Sequence, residues 1–328
     1  MIHLVTGGAG FIGSHLAEAL AQRGDRVIIL DDLSTGGLEN IDHLLGNGRV
    51  EFVEGSVLDE GLIEDLMPGA DRCYHLASTV GVKLVVGRPL DSMLRNVRGN
   101  DIVAASAARS GTRLLFASTS EIYGKQVDDS LHEDSDRILG PPSKSRWGYS
   151  TSKAFGEMLA FGYAREHGAE TVVVRLFNTV GARQSAAYGM VLPRFVRQAV
   201  AGEDLTIYGD GNQTRCFTHV RDVVSAIVGV IEADAGLGHA FNVGNPEEIS
   251  IAGLARRVIE RAGSTSDVKY VPHEEAYPPG FEELGRRRPS TSSLTELIGW
   301  KPQLSVDHAI DDLIASQRPA SGVPPVAA

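Results

Sequence analysis

Apolar residues in this chain fall in short β-branched runs separated by stretches whose apolar positions recur every three to four residues. The runs occupy 2–5, 26–30, 50–53, 72–76, 113–117 and 171–176, and the helical stretches between them 11–22, 61–67, 90–108 and 149–167. Runs too apolar to alternate inside from outside, each followed by an amphipathic stretch, predict a parallel sheet covered on both faces by helices. The fold class is therefore α/β, a doubly wound parallel sheet. After about residue 178 the rhythm changes. Helices over 192–201, 220–233 and 251–262 and strands over 205–208 and 240–243 are joined by turns containing Gly and Pro. They predict a smaller mixed lobe over 178–316, built on a main domain of 1–177, with segments near 215–245 returning to the main sheet. The Pro- and Ala-rich end, 317–328, carries no apolar period and is expected to be disordered.

Charge narrows the partners. With 31 Lys+Arg against 42 Asp+Glu, the net charge is −11, and so acidic a surface repels a nucleic-acid backbone. Cys73 and Cys216 have neither metal-ligand spacing nor a disulfide framework, so no metal is expected. The chain begins directly with the first apolar run, and no apolar stretch is long enough to span a bilayer; a cytoplasmic protein is expected.

The first strand leads into Thr6-Gly7-Gly8-Ala9-Gly10-Phe11-Ile12-Gly13 and then a helix. Glycines at 7, 10 and 13 allow a tight turn, close approach of backbone to a pyrophosphate and close helix–strand packing. The helix start supplies N–H groups to the phosphates. Asp31, at the end of the second strand, is placed to bind ribose hydroxyls and to repel a 2′-phosphate. No Arg follows in Asp32-Leu33-Ser34-Thr35-Gly36, so NAD is expected over NADP on a Rossmann-type sheet.

Tyr149 and Lys153 stand at i and i+4 on one helical face. A phenol titrating near 10 is a poor base at neutral pH, and a neighbouring ammonium favours its phenolate. The fifth strand ends in Ser118-Thr119-Ser120-Glu121, a hydroxyl run at the carboxyl end of a parallel strand, where such sheets bind ligands. Thr119 there completes a relay of hydroxyl, phenolate and ammonium.

These motifs come in a fixed order. The glycine run, the acidic strand end, Cys73-Tyr74-His75-Leu76-Ala77, the segment from Ser118 to Gly124, Tyr149/Lys153 and the run from Arg175 to Gly181 are spaced as in a known family. The likeness continues from Leu205 to Arg215 and through Arg286-Arg287-Arg288-Pro289. The chain resembles the extended short-chain dehydrogenase/reductases that act on nucleotide sugars, over nearly its whole length to about residue 316. The resemblance implies that Gly7, Gly10, Phe11, Ile12, Gly13, Asp31, Asp32, Ser34, Thr35, Gly36, Ser56, Val57, Leu76, Ala77 and Ser78 hold NAD, with Tyr149 and Lys153 at its reactive end. Many relatives carry Asp where this chain has Ser56, a shorter and neutral contact for the adenine. Thr119, Ser120, Glu121, Tyr149 and Lys153 would be catalytic. A UDP-sugar would lie against Lys83, Thr119, Asn178, Val191, Thr206, Tyr208 and Gln213, with Arg215 and Arg287 clamping its diphosphate. The same resemblance implies a homodimer built on the helices over 90–108 and 149–167.

Reaction type turns on Ser120. Dehydratases of this group carry an acid there, to protonate a leaving hydroxyl, whereas Thr119-Ser120-Glu121 looks like UDP-glucuronate decarboxylases, which form UDP-xylose or release a 4-keto sugar. Val80-Gly81-Val82-Lys83 is similar to a loop of several UDP-sugar 4-epimerases. Decarboxylation is the expected activity, with 4-epimerisation, 4,6-dehydration and a non-catalytic NAD sensor or scaffold as alternatives.

Overall fold

The computed structural model describes residues 1–46, 48–79, 87–126, 128–186, 190–272, 275 and 286–317. Lys83 with its loop, and the tail beyond Gln317, lie outside the described residues.

Seven parallel strands form the central sheet: β1 (Ile2–Thr6), β2 (Arg26–Asp31), β3 (Val50–Glu54), β4 (Arg72–His75), β5 (Arg113–Thr119), β6 (Thr171–Leu176) and, much later in the chain, Ala240–Val243. The spatial order is β3-β2-β1-β4-β5-β6 with Ala240–Val243 on the outer edge of β6, every pair parallel. The doubly wound sheet expected from the apolar runs is thus present. Val5, Ile29, Tyr74, Leu115 and Val174 form its core on one face with the helices Phe11–Gln22 and Val220–Glu232. The opposite face buries Leu4, Leu30, Cys73 and Leu114 with Val103 and Ala107 of the helix Pro89–Ser110. Two strands run past their apolar stretches by one or two residues, and these extensions carry Asp31 and Thr119 to the carboxyl edge. Strand order reverses between β1 and β4, which opens the crevice where such sheets bind ligands.

A second core forms where the helices Val191–Ala201, Ile251–Ala262 and Val306–Gln317 meet, around Phe195, Leu254, Val258 and Leu313. Leu205–Tyr208 pairs in parallel with Val268–Val271, and Thr214–Cys216 antiparallel with Glu248–Ser250. Three of those four short strands, and the helices Ser292–Ile298 and Val306–Gln317, are absent from the sequence reading.

A buried charge network locks the outer strand to the rest. Arg175 on β6 donates to Glu157 at 3.0 and 2.8 Å and to the Tyr123 hydroxyl at 3.0 Å. Tyr123 donates to Asn242 Oδ1 at 2.7 Å, and the Asn242 amide N–H donates to Glu133. Because Glu157 lies one turn beyond Lys153, this network fixes the helix Arg146–His167, which carries Tyr149.

Candidate active site

One cavity of about 960 Å³ opens along the carboxyl edge of the sheet. At its β1 end the backbone of the glycine run is exposed because side chains are missing. Gly7 is left-handed (φ 71°), and a Cβ there would stand 2.8 Å from the Ala77 nitrogen; one on Gly13 would overlap the Gly7 carbonyl. Only glycine fits both places. Gly10, at the start of the helix Phe11–Gln22, adds no side-chain cap, so the first N–H groups of that helix remain available to an anion. Asp31 is buried and accepts from the Ala9 amide at 3.0 Å and the Leu33 amide at 2.9 Å. Burial raises its pKa, and the two N–H groups oppose the rise. Asp32 caps its own turn by accepting from the Ser34 amide and hydroxyl, and Ser56 Oγ accepts from the Leu58 amide at 3.3 Å. Phe11, Ile12, Ser34, Thr35, Gly36, Val57, Leu76, Ala77 and Ser78 complete this wall. A backbone cradle followed by a buried carboxylate fits the diphosphate and adenosine ribose of a dinucleotide.

The cavity continues past the end of β5. Lys153 is buried and donates to the Ala117 carbonyl at 2.9 Å; burial brings its pKa down to about 7, partly countered by the charge of Glu157. Tyr149 is hydrogen-bonded to Thr119. Its pKa lies well above that of a free phenol, first through burial and then through the charge of Glu121, with only the Thr119 hydrogen bond opposing. The ammonium is not among the groups that act on the phenol, as the spacing had suggested it would be: Lys153 is turned to the Ala117 carbonyl, and burial sets the direction.

Beside Tyr149 sits a cluster the spacing did not foretell. Arg287 Nη1 donates to Glu121 Oε1 at 2.8 Å and to Ser120 Oγ at 3.3 Å, and Arg146 Nη1 lies 2.6 Å from Glu121 Oε2. Burial would raise the Glu121 carboxyl, yet the two guanidinium groups hold it down to about 2. Arg287, expected on the diphosphate, bonds here to Ser120 and Glu121. Its own segment is fixed alongside Leu131, whose amide donates to the Arg288 carbonyl, in a bridge to Pro289. Arg146 was missed, although an arginine three residues before Tyr149 shares its helical face.

On the far wall stand Asn178, Val191, Tyr208, Gln213 and Arg215. Asn178 donates to the Cys216 carbonyl at 2.9 Å, Gln213 donates to the Tyr208 carbonyl at 3.0 Å, and the Arg194 guanidinium stacks 4.2 Å from the Tyr208 ring centre. Thr206 is outside this lining, its hydroxyl and amide both bonded to Gln198, and so are Thr119 and Ser120, which meet it through their bonds to Tyr149 and Arg287.

The chain matches the NAD dependent epimerase/dehydratase family over residues 3–244. It belongs to that family. The resemblance drawn from the ordered motifs is borne out, and with it the NAD dependence. Among relatives of this family member, the UDP-N-acetyl-alpha-D-glucosaminuronate decarboxylase of Bacillus cytotoxicus is 38% identical over 312 residues, 95% of this chain and 96% of that protein. UDP-glucuronic acid decarboxylase 1 of Xenopus tropicalis is 34% identical, over 95% of this chain and 70% of its own. The solved UDP-glucuronic acid 4-epimerase of Bacillus cereus, in complex with UDP-glucuronic acid and NAD, superposes with a TM-score of 0.86 at 26% identity, covering 96% of this chain and 98% of the epimerase. That epimerase shares the fold of this family member, and the two decarboxylases are more similar to it in sequence than the epimerase is.

Proposed function

We propose that this chain is an NAD-dependent decarboxylase of a UDP-hexuronate, either UDP-glucuronate or its 2-acetamido counterpart. The observation that carries the reading is the pair of guanidinium groups, Arg287 and Arg146, converging on Glu121 beside Ser120 and Tyr149. Two cations on one carboxylate leave a net positive charge at the sugar end of the cavity. A hexuronate brings its C6 carboxylate there, and Arg binds carboxylates in paired hydrogen bonds. A neutral hexose offers nothing to that charge.

Bound NAD, held by the glycine cradle and Asp31, would supply the hydride acceptor for sugar C4. Tyr149, oriented by Thr119, takes the C4 hydroxyl proton. The resulting 4-ketone makes the C6 carboxylate that of a β-keto acid, which loses CO2 when its C–C bond is held perpendicular to the carbonyl. The electron pair passes to the C4 oxygen, where the protonated Tyr149 donates a hydrogen bond to the enolate. Water supplies a proton to C5, and Tyr149 gives its proton back to the C4 oxygen as the hydride would return to C4, which completes the pentose. Ser120 lies beside the departing carboxylate without repelling it, and its hydroxyl is too weak an acid to expel water from C6. In the same reading residues 1–177 hold mainly NAD and 178–316 mainly the UDP-sugar. The protein pairs as a homodimer through Leu90, Leu94, Phe155 and Met158, which are 63, 42, 44 and 62% exposed on two adjacent helices.

The deciding experiment is mass spectrometry after incubation with NAD and, separately, UDP-glucuronate, UDP-N-acetylglucosaminuronate and UDP-glucose. The proposal requires a product lighter by CO2 from at least one uronate and no 4-keto-6-deoxy sugar from UDP-glucose. Epimerisation of these sugars without release of CO2 would replace it with the epimerase.

A further inference from the structure

Two side chains of the helix Phe11–Gln22 grip consecutive residues of the segment that follows Thr179–Val180. His15 Nε2 is 3.0 Å from the Ala182 carbonyl, and Arg183 Nη2 donates to Glu18 Oε2 at 2.6 Å. Arg183 also lies 3.3 Å from His43 Nε2. The backbone of Arg183 is left-handed, with φ at 65°, although a side chain is disfavoured there. A partly exposed ion pair is too weak a reason to keep a residue in that conformation.

The other half of the guanidinium gives a stronger reason. Arg183 Nη1 is shielded from solvent and has no hydrogen-bond partner among the described residues, whereas buried polar groups nearly always have one. Arg183 lines the same cavity as Gly10, Phe11 and Ile12, at the helix start where the glycine cradle leaves room for phosphate. Glu18 holds one nitrogen of the fork and thereby aims the other. Glycine N–H groups carry only partial charges, and a −11 protein needs a fixed cation to draw in a dianionic diphosphate.

We propose that Arg183 binds the diphosphate of the dinucleotide, a cationic contact made across from the glycine run by the segment that also contributes Gln184 and Ser185 to the cavity wall. This contact does not depend on which sugar is transformed.

The test is calorimetric titration of the full chain, freed of nucleotide, with NAD, ADP-ribose, adenosine and UDP. Arg183→Met should weaken NAD and ADP-ribose at least tenfold and leave adenosine and UDP within about twofold. Arg183→Lys, which keeps the charge, should recover part of the loss. Glu18→Gln removes the charge that grips one arm of the fork but keeps the guanidinium, and should weaken NAD less than threefold. The proposal is overturned if adenosine is weakened as much as NAD, if UDP is weakened instead, or if NAD binding is unchanged in Arg183→Met. It is overturned equally if Glu18→Gln is as damaging as Arg183→Met, since the contact would then be a structural latch. Should Arg183→Met fail to fold, the same split between NAD and adenosine is required of Arg183→Gln.

Discussion

Glu121 owes its charge to its neighbours, and that dependence has a sign. Its folded pKa of about 2 lies below the ordinary value near 4.5, because Arg287 and Arg146 outweigh the burial that would raise it. A depressed carboxyl contributes its full stabilisation above pH 4.5 and loses it as pH falls toward 2. Across that window the wild type should lose on the order of 3 kcal/mol more stability than Glu121→Gln, read as a flatter plot of melting temperature against pH for the variant. A plot of equal steepness would mean that the two arginines do not hold the proton off. The role proposed for Tyr149 is tested by Tyr149→Phe, which keeps the ring and removes the hydroxyl. Turnover should fall at least a hundredfold while NAD binding, followed by titration, is retained. The motif positions Gly7, Asp31, Tyr149 and Lys153 were readable as members of one site, and the structure brings all four to one cavity. The partners of Glu121 were not, since Arg287 lies 166 residues away and reaches it only through the bridge beside Leu131.

At the scale of elements, apolar period was a sufficient guide wherever a strand or helix buries a face in one of the cores. It was silent for Thr214–Cys216 and Glu248–Ser250, which are three residues each and held by pairing with one another across the chain. It was silent also for Val306–Gln317, although Val306, Ile310, Leu313 and Ile314 show a helical spacing that was left unread. The helix Arg146–His167 depends on more than its apolar face. Arg175→Met would leave Glu157 charged, buried and without its guanidinium. Urea unfolding should show a loss of about 3–5 kcal/mol, against less than half that for the double variant Arg175→Met with Glu157→Leu. Equal losses for the two would place the cost in packing rather than in the stranded charge.

For the whole molecule, the exposed Leu90, Leu94, Phe155 and Met158 form an apolar strip on a surface otherwise rich in carboxylates. Light scattering should give twice the chain mass for the wild type and the single-chain mass for Phe155→Glu with Met158→Glu. A wild-type monomer would remove the homodimer from the reading. The order of the chain carries one more consequence. After β6 ends at Leu176, the polypeptide builds much of the second core before Ala240–Val243 comes back to cover the outer edge of β6. At roughly 5–20 residues per second on the ribosome, that edge waits about 3–13 seconds for its neighbour. Throughout the delay an apolar strand edge is open to any other nascent chain, and Tyr123 lacks Asn242 Oδ1, which later accepts the hydrogen bond of its hydroxyl. The newborn protein is therefore most vulnerable to misassembly after β6 has emerged and before residue 243 has, which is where a chaperone would be expected to act.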